Sequence, residues 1–142
     1  MKLKIFFLLT SLLCSVGTFA DQNHHAYPET ESSVSKYNKK GLKWPGYCEI
    51  EVINDSFTSV RVYGVFNDGV LLRPFNIYTY EYPHYISLFY YGYCHAGMDL
   101  YVDTLGGYHL YAGYTPTNTT LHIVPYMMKE KPKVELMQKE NK

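Results

Sequence analysis

The side chains able to do chemistry in this chain are few, and their spacing argues against most reactions. Six histidines are present: His24, His25, His84, His95, His109 and His122. No two of them stand four residues apart on one element, the spacing that lets a pair share a zinc ion. Asp99 and Asp103 fall on one face of a predicted strand but match no calcium-binding loop. Ser59, Ser87 and Thr104 are the hydroxyls available to a histidine such as His95 or His109. None lies in the strained Gly-x-Ser-x-Gly turn that presents a nucleophile. Cys94 and His95 are adjacent, yet neighbours on a strand point to opposite faces and do not form a thiolate–imidazole pair. Glu49 and Glu51 share a strand face and are expected to face solvent, not to flank a scissile bond. There is no phosphate-binding loop and no dinucleotide fingerprint. The residues therefore predict no catalytic group, no metal and no cofactor.

Cys48 and Cys94 are predicted to form a disulfide. They remain as an even pair once Cys14, which lies in an apolar leader segment, is set aside. In an oxidising compartment such a pair in a small domain reads as a bridge.

The most distinctive chemistry is phenolic. Of the 16 tyrosines, seven lie between Tyr78 and Tyr93. Tyr78, Tyr80 and Tyr82 recur at every second residue, which on a regular strand places all three rings on one face. Tyr85, Tyr90 and Tyr91 follow closely. A tyrosine offers a wide apolar ring, a polar tip and little rotamer entropy to lose, which suits contact with a protein and stacking on a sugar ring. These six residues are the predicted binding set, with a protein or a glycan as partner. The competing role is that the rings simply cover the core.

The elements that must position these residues follow from the chain's patterning. Lys2 and Lys4 precede an apolar run, Ile5 to Leu13, and Thr18-Phe19-Ala20 supplies small side chains at a cleavage site, so residues 1–20 are predicted to be a removable signal peptide. Residues 21–43 are polar and without apolar period, a flexible leader that contains His24 and His25. Residues 127–142 form a charged tail in which Val134-Glu135-Leu136 has the pattern of a short strand. Between them, residues 44–126 read as strand after strand. Cys48, Ile50 and Val52 alternate with Glu49, Glu51 and Ile53, and Asn54-Asp55-Ser56 breaks that run. Val60 to Phe66 and Val70 to Leu72 flank Asn67-Asp68-Gly69, a tight-turn signal. Phe75 to Tyr82 is a further strand between Pro74 and Pro83, and Tyr85 to Tyr91 is the most apolar run and a central strand. Met98 to Val102 and Tyr108 to Tyr111 flank Thr104-Leu105-Gly106-Gly107, a second hairpin. Leu121 to Val124 closes the domain. About seven short strands without a helix predict an all-β fold, a small antiparallel β-sandwich of immunoglobulin-like or transthyretin-like type carrying one disulfide.

Charge narrows the partners. Loss of the leader peptide with Lys2 and Lys4 leaves 11 basic against 13 acidic residues. Such a balance creates no field for nucleic acid or an anionic membrane, and no stable membrane insertion is expected after cleavage. Arg61 and Arg73 are the only arginines, a poor supply for clamping phosphate. The expectation is a secreted or periplasmic, non-enzymatic interaction domain. A small secreted hydrolase or enzyme inhibitor, and a carbohydrate-binding module, are the alternatives.

Overall fold

The computed structural model of the protein describes residues 23–28, 48–125 and 132–139. The predicted signal peptide, and the leader and tail beyond those limits, lie outside the described residues. Among the described residues there are eleven strands, eight of them with four residues or more, against the seven or so expected. One sheet contains β1 (His24–His25), β5 (His84–Ser87), β2 (Glu49–Asn54), β10 (Thr119–Val124) and β11 (Lys133–Gln138), in that spatial order. The second contains β4 (Leu71–Ile77), β3 (Val60–Phe66), β8 (Gly97–Thr104) and β9 (His109–Pro116). A separate hairpin joins β6 (Phe89–Tyr90) to β7 (Tyr93–Cys94). The fold is thus all-β. The second sheet is antiparallel throughout, but the first is mixed, with β2 parallel to β10 and β1 parallel to β5.

Alternation builds the core as the period of two requires. Ile50 and Val52 on β2, Ile86 on β5 and Leu121 and Ile123 on β10 face Val60, Val62 and Phe66 on β3 and Leu100 and Val102 on β8 in one buried cluster. Burial of each such side chain contributes about 1.5–3 kcal/mol. Both predicted hairpins form. The Phe66 and Val70 backbones bond across the first turn at 2.8 Å, with Gly69 at φ 87°. Thr104 N donates to Tyr108 O across the second, with Gly107 at the same φ. A left-handed residue is what these turns need, and glycine takes it without a Cβ clash.

Two strands differ from expectation. β4 runs through Pro74 and ends at Ile77, so the predicted Phe75–Tyr82 strand is displaced towards the amino terminus. Pro74 is tolerated because β4 is an outer strand and the β3–β4 register shifts between the Val62–Phe75 and Gly64–Leu72 pairs, where a missing N–H costs no ladder bond. The Tyr85–Tyr91 run is no single central strand. It is divided at Leu88, whose N–H turns to Cys48 O at 2.9 Å. The disulfide then joins Cys48 to Cys94 at a Cα separation of 5.7 Å, holding the β6–β7 hairpin against the start of β2.

The leader and the tail both enter the first sheet. Residues 23–28, read from sequence as flexible, lie along β5. Asn23 O accepts from Tyr85 N at 2.8 Å, and Tyr27 is 1% exposed, stacked on Tyr90 at 4.3 Å. One aromatic anchor and a two-residue ladder leave no periodic trace in a polar segment, which explains why the sequence hides them. In the tail, Val134 and Leu136 of β11 pair in register with Ile123 and Leu121. Lys139 Nζ reaches Glu51 Oε2 at 3.2 Å, and Thr120 Oγ1 donates to the same carboxylate at 2.8 Å. Burial pushes Glu51 up, but the Thr120 hydroxyl and Lys139 outweigh it and hold the carboxyl below its ordinary value. Glu49 and Glu51 are therefore half-buried partners of the tail and not the solvent-facing pair expected.

Two stability outcomes follow from this packing. Opening the 46-residue bridge with Cys48→Ala/Cys94→Ala should lower stability by about 2–4 kcal/mol. Gly64→Ala should cost about 1–3 kcal/mol, because a Cβ there would lie 2.5 Å from Asp99 O and 2.8 Å from Leu100 Cδ2. Urea unfolding of the oxidised protein and the two variants measures both.

Candidate functional site

The strand directions separate the predicted tyrosine set. β2 and β5 are antiparallel, so the end of β2 and the start of β5 lie together at one end of the fold, while Cys48 and Leu88 lie at the other. Tyr78, Tyr80 and Tyr82 occupy the β4–β5 connection at the first end. Tyr90 and Tyr91 belong to the β6–β7 hairpin at the second. Tyr85 sits between, on the outer face of β5, half-buried beside His24 and beneath Lys139. The six do not form one face.

Tyr78, Tyr80 and Tyr82 are 55%, 75% and 81% exposed. They are not aligned by a strand, because the chain turns here. Glu81 N donates to Tyr78 O at 3.3 Å and Tyr78 N donates to Glu81 Oε2 at 2.7 Å, closing a four-residue turn. Tyr80 is the third residue of that turn and stands at φ 61°. A positive φ at this position ordinarily calls for glycine or asparagine, and a bulky side chain there is strained by about 1–2 kcal/mol. The one ring contact that Tyr80 makes among the described residues is Phe57, edge-on at 6.4 Å and 69°. Phe57 is itself 74% exposed. The adjoining β2–β3 turn is rigid: buried Asn54 donates to Thr58 O at 3.0 Å and Ile77 O at 3.2 Å, and Ser56 Oγ donates to Asn54 Oδ1 at 2.7 Å. Asn54 thus ties the turn bearing Phe57 to the end of β4, which leads into the tyrosine turn. Sequence reasoning missed Phe57; a lone phenylalanine within a polar turn was the available signal.

The second end is largely structural. Tyr90 is 1% exposed and lies in a stack with Tyr27 on one contact and His95 on another, the latter at 3.5 Å and 3°. It belongs to the core and is removed from the binding set, because the alternation of the short β6 strand turns it inward while Phe89 faces out. Tyr91 and Gly92, at φ 54° and 84°, form a two-residue hairpin turn with both residues left-handed. Unlike Tyr80, Tyr91 recovers part of that strain: its hydroxyl meets that of Tyr27 at 2.9 Å, and Tyr27 in turn donates to Asp68 Oδ2 at 2.7 Å. Burial first, then these hydrogen bonds, push the Tyr27 hydroxyl well above the ordinary tyrosine range.

Histidines and acids form three further groups. His25 Nε2 and His84 Nδ1 stand 2.8 Å apart, with Phe75 of the opposite sheet stacked on His25 at 3.4 Å. His84 Nε2 is 3.6 Å from Glu81 Oε1. Burial, then His84 and His24, hold His25 at about 4, and burial also lowers His84 although Glu81 opposes it. On the outer face of the second sheet, Asp103 accepts from the Tyr63 hydroxyl at 2.8 Å and pairs with His109 Nδ1 at 2.6 Å. His122 pairs with Asp55 at 2.6 Å. Of the hydroxyl candidates, Ser87 Oγ accepts from Phe89 N and Thr104 Oγ1 from Tyr108 N. Cys94 is in the disulfide. Among the described residues no group of three or more His, Cys, Asp or Glu side chains is placed to hold a metal ion, and no helix is long and apolar enough to cross a membrane.

No protein family matches this chain, and neither curated proteins nor solved structures give a significant match.

Tyr80→Gly should raise stability by about 1 kcal/mol, since glycine adopts the same φ without a Cβ clash and the exposed ring contributes little packing. Urea midpoints of the two proteins compare them directly.

Proposed function

We propose that this chain is an exported, non-enzymatic interaction domain that binds a protein through the aromatic group at one end of its fold: Tyr78, Tyr80, Tyr82 and Phe57. Tyr85 lies between the two ends and Tyr91 at the opposite end, and neither belongs to that group. The observation that carries the reading is Tyr80. A mostly exposed ring held at positive φ costs stability and receives little from its own fold in return. Strain of this kind is retained where a side chain serves something outside the fold. The surrounding chemistry is that of a paratope, with rigid aromatics of low rotamer entropy on a short turn anchored by buried hydrogen bonds.

The glycan alternative asks for coplanar solvent-facing rings, and Phe57 and Tyr80 stand at 69° to each other. That angle favours the protein reading, in which rings enter separate pockets of a partner. The hydrolase alternative asks for a nucleophile beside a histidine–carboxylate pair. Among the described residues, no serine, threonine or cysteine side chain is hydrogen-bonded to the histidine of the Asp103–His109, Asp55–His122 or Glu81–His84 pair. We further read the two sheets as the layers of a β-sandwich, immunoglobulin-like or transthyretin-like, since their inner faces share one core. The disulfide is consistent with a secreted or periplasmic location.

The test uses the mature chain on an array of proteins exported by the source organism and, in parallel, on a glycan array. A partner bound by the wild type should be bound at least about tenfold more weakly by Tyr80→Gly and by Tyr82→Ser, the loss of 1.4 kcal/mol or more expected at an aromatic anchor. Their melting should stay level or improve. Equal binding by wild type and both variants, or retention of glycans alone, overturns the proposal.

A further inference from the structure

Residues 23–28 meet the body of the fold through a pair of histidines, His25 and His84. The His25 and His84 side chains both turn inward, in register with Ile86 and Val52, into the gap between the two sheets. Their facing nitrogens, Nε2 of His25 and Nδ1 of His84, are 2.8 Å apart. A hydrogen bond at this distance needs one nitrogen to carry a proton and the other to be bare. One extra proton on the pair is tolerable, because His84 can then donate to His25 through Nδ1 and face Glu81 through Nε2. A second proton sets two N–H donors against each other and adds two like charges in a gap walled by Phe75 and Val52. Two titratable groups face the pair besides these. His24, on the same strand, adds to the repulsion when charged. Glu81, in the β4–β5 connection, is the one carboxylate close to His84 among the described residues and does not reach His25 in the same way.

The strap is also held by the His24 ring against Tyr85 and by the Tyr27 hydroxyl, which bonds to Asp68 and Tyr91. Its ladder is two residues long, and the Tyr27 ring is seated against Phe66, Tyr90 and Tyr91.

We propose that residues 23–28 are an acid-releasable strap: double protonation of the His25–His84 pair undocks them from β5. The direction follows from proton linkage. Well above the ordinary histidine value of 6.5 neither the docked nor the free strap takes up protons at these rings. As pH falls from there towards about 4, the free strap binds protons that the docked one refuses, so docking weakens.

Amide hydrogen exchange of the mature, oxidised chain between pH 7 and pH 4, corrected for intrinsic rates, tests this. The amide of Tyr85, which donates to Asn23 O, should lose protection by about tenfold or more, the change produced by one unit of proton linkage. The amides of β2, β3 and β8 should keep theirs. In His25→Phe, which retains a ring against Phe75 but carries no proton, the Tyr85 amide should change less than about twofold. Titration of the His25 and His84 ring resonances in the wild type supplies a readout independent of that variant's folding: both should gain charge over the interval in which Tyr85 loses protection. Undiminished Tyr85 protection at pH 4, loss shared equally by the body of the fold, or equal loss in His25→Phe would each overturn the proposal.

Discussion

The structure rests on one shared apolar interior. β2 and β10 from one sheet and β3 and β8 from the other each present alternate side chains to the same space, and Ile50, Val52, Val62, Leu100, Val102 and Leu121 are wholly shielded from water there. Because strands of both sheets are committed to that interior, their connections emerge at two opposite ends. Whatever the connections carry is then displayed at an end, out of reach of the other. This is why a run of tyrosines continuous in sequence is divided in space between the β4–β5 turn and the β6–β7 hairpin.

The sides of the interior are sealed differently from its middle. At one side the outer strands are β1 with β5 and, opposite them, β4, and the contact across the gap is made by rings: His25 and His84 against Phe75. Imidazoles fill the space as an aromatic would while they are neutral, and their burial keeps them so at neutral pH. The same rings become poor filling when charged. Stability at this side of the fold therefore depends on pH, whereas the aliphatic middle has no titratable group to respond.

Backbone conformation sorts the tyrosines by what they can do. Tyr27 and Tyr90, neither of them at positive φ, are core rings stacked within the cluster. Tyr91 takes a left-handed conformation that completes a hairpin turn and gains a hydroxyl contact with Tyr27. Tyr80 takes a similar conformation in the tyrosine turn with only an edge contact to Phe57. Identical side chains in one stretch of sequence thus serve packing, turn closure and display, and the distinction lies in φ and in neighbours brought from elsewhere in the chain.

Much of the fold was legible in the residues alone. Alternation in Cys48–Ile53 and Val60–Phe66, the Asn67-Asp68-Gly69 and Gly106-Gly107 turns and the Cys48–Cys94 pair identify β2, the two hairpins and the bridge, because each is a local rule of period, turn conformation or pairing chemistry. What only the tertiary structure decided is long-range. The parallel pairing of β2 with β10 joins segments some 70 residues apart. The docking of His24-His25 and Tyr27 depends on a partner strand and a slot that their polar neighbours do not announce. The end of β4 at Ile77, which turns three evenly spaced tyrosines from a strand face into an exposed turn, follows from Asn54 capturing Ile77 O and Glu81 capturing Tyr78 N. A period of two is visible along a chain, but which hydrogen-bond partner stops it is known only when distant segments meet.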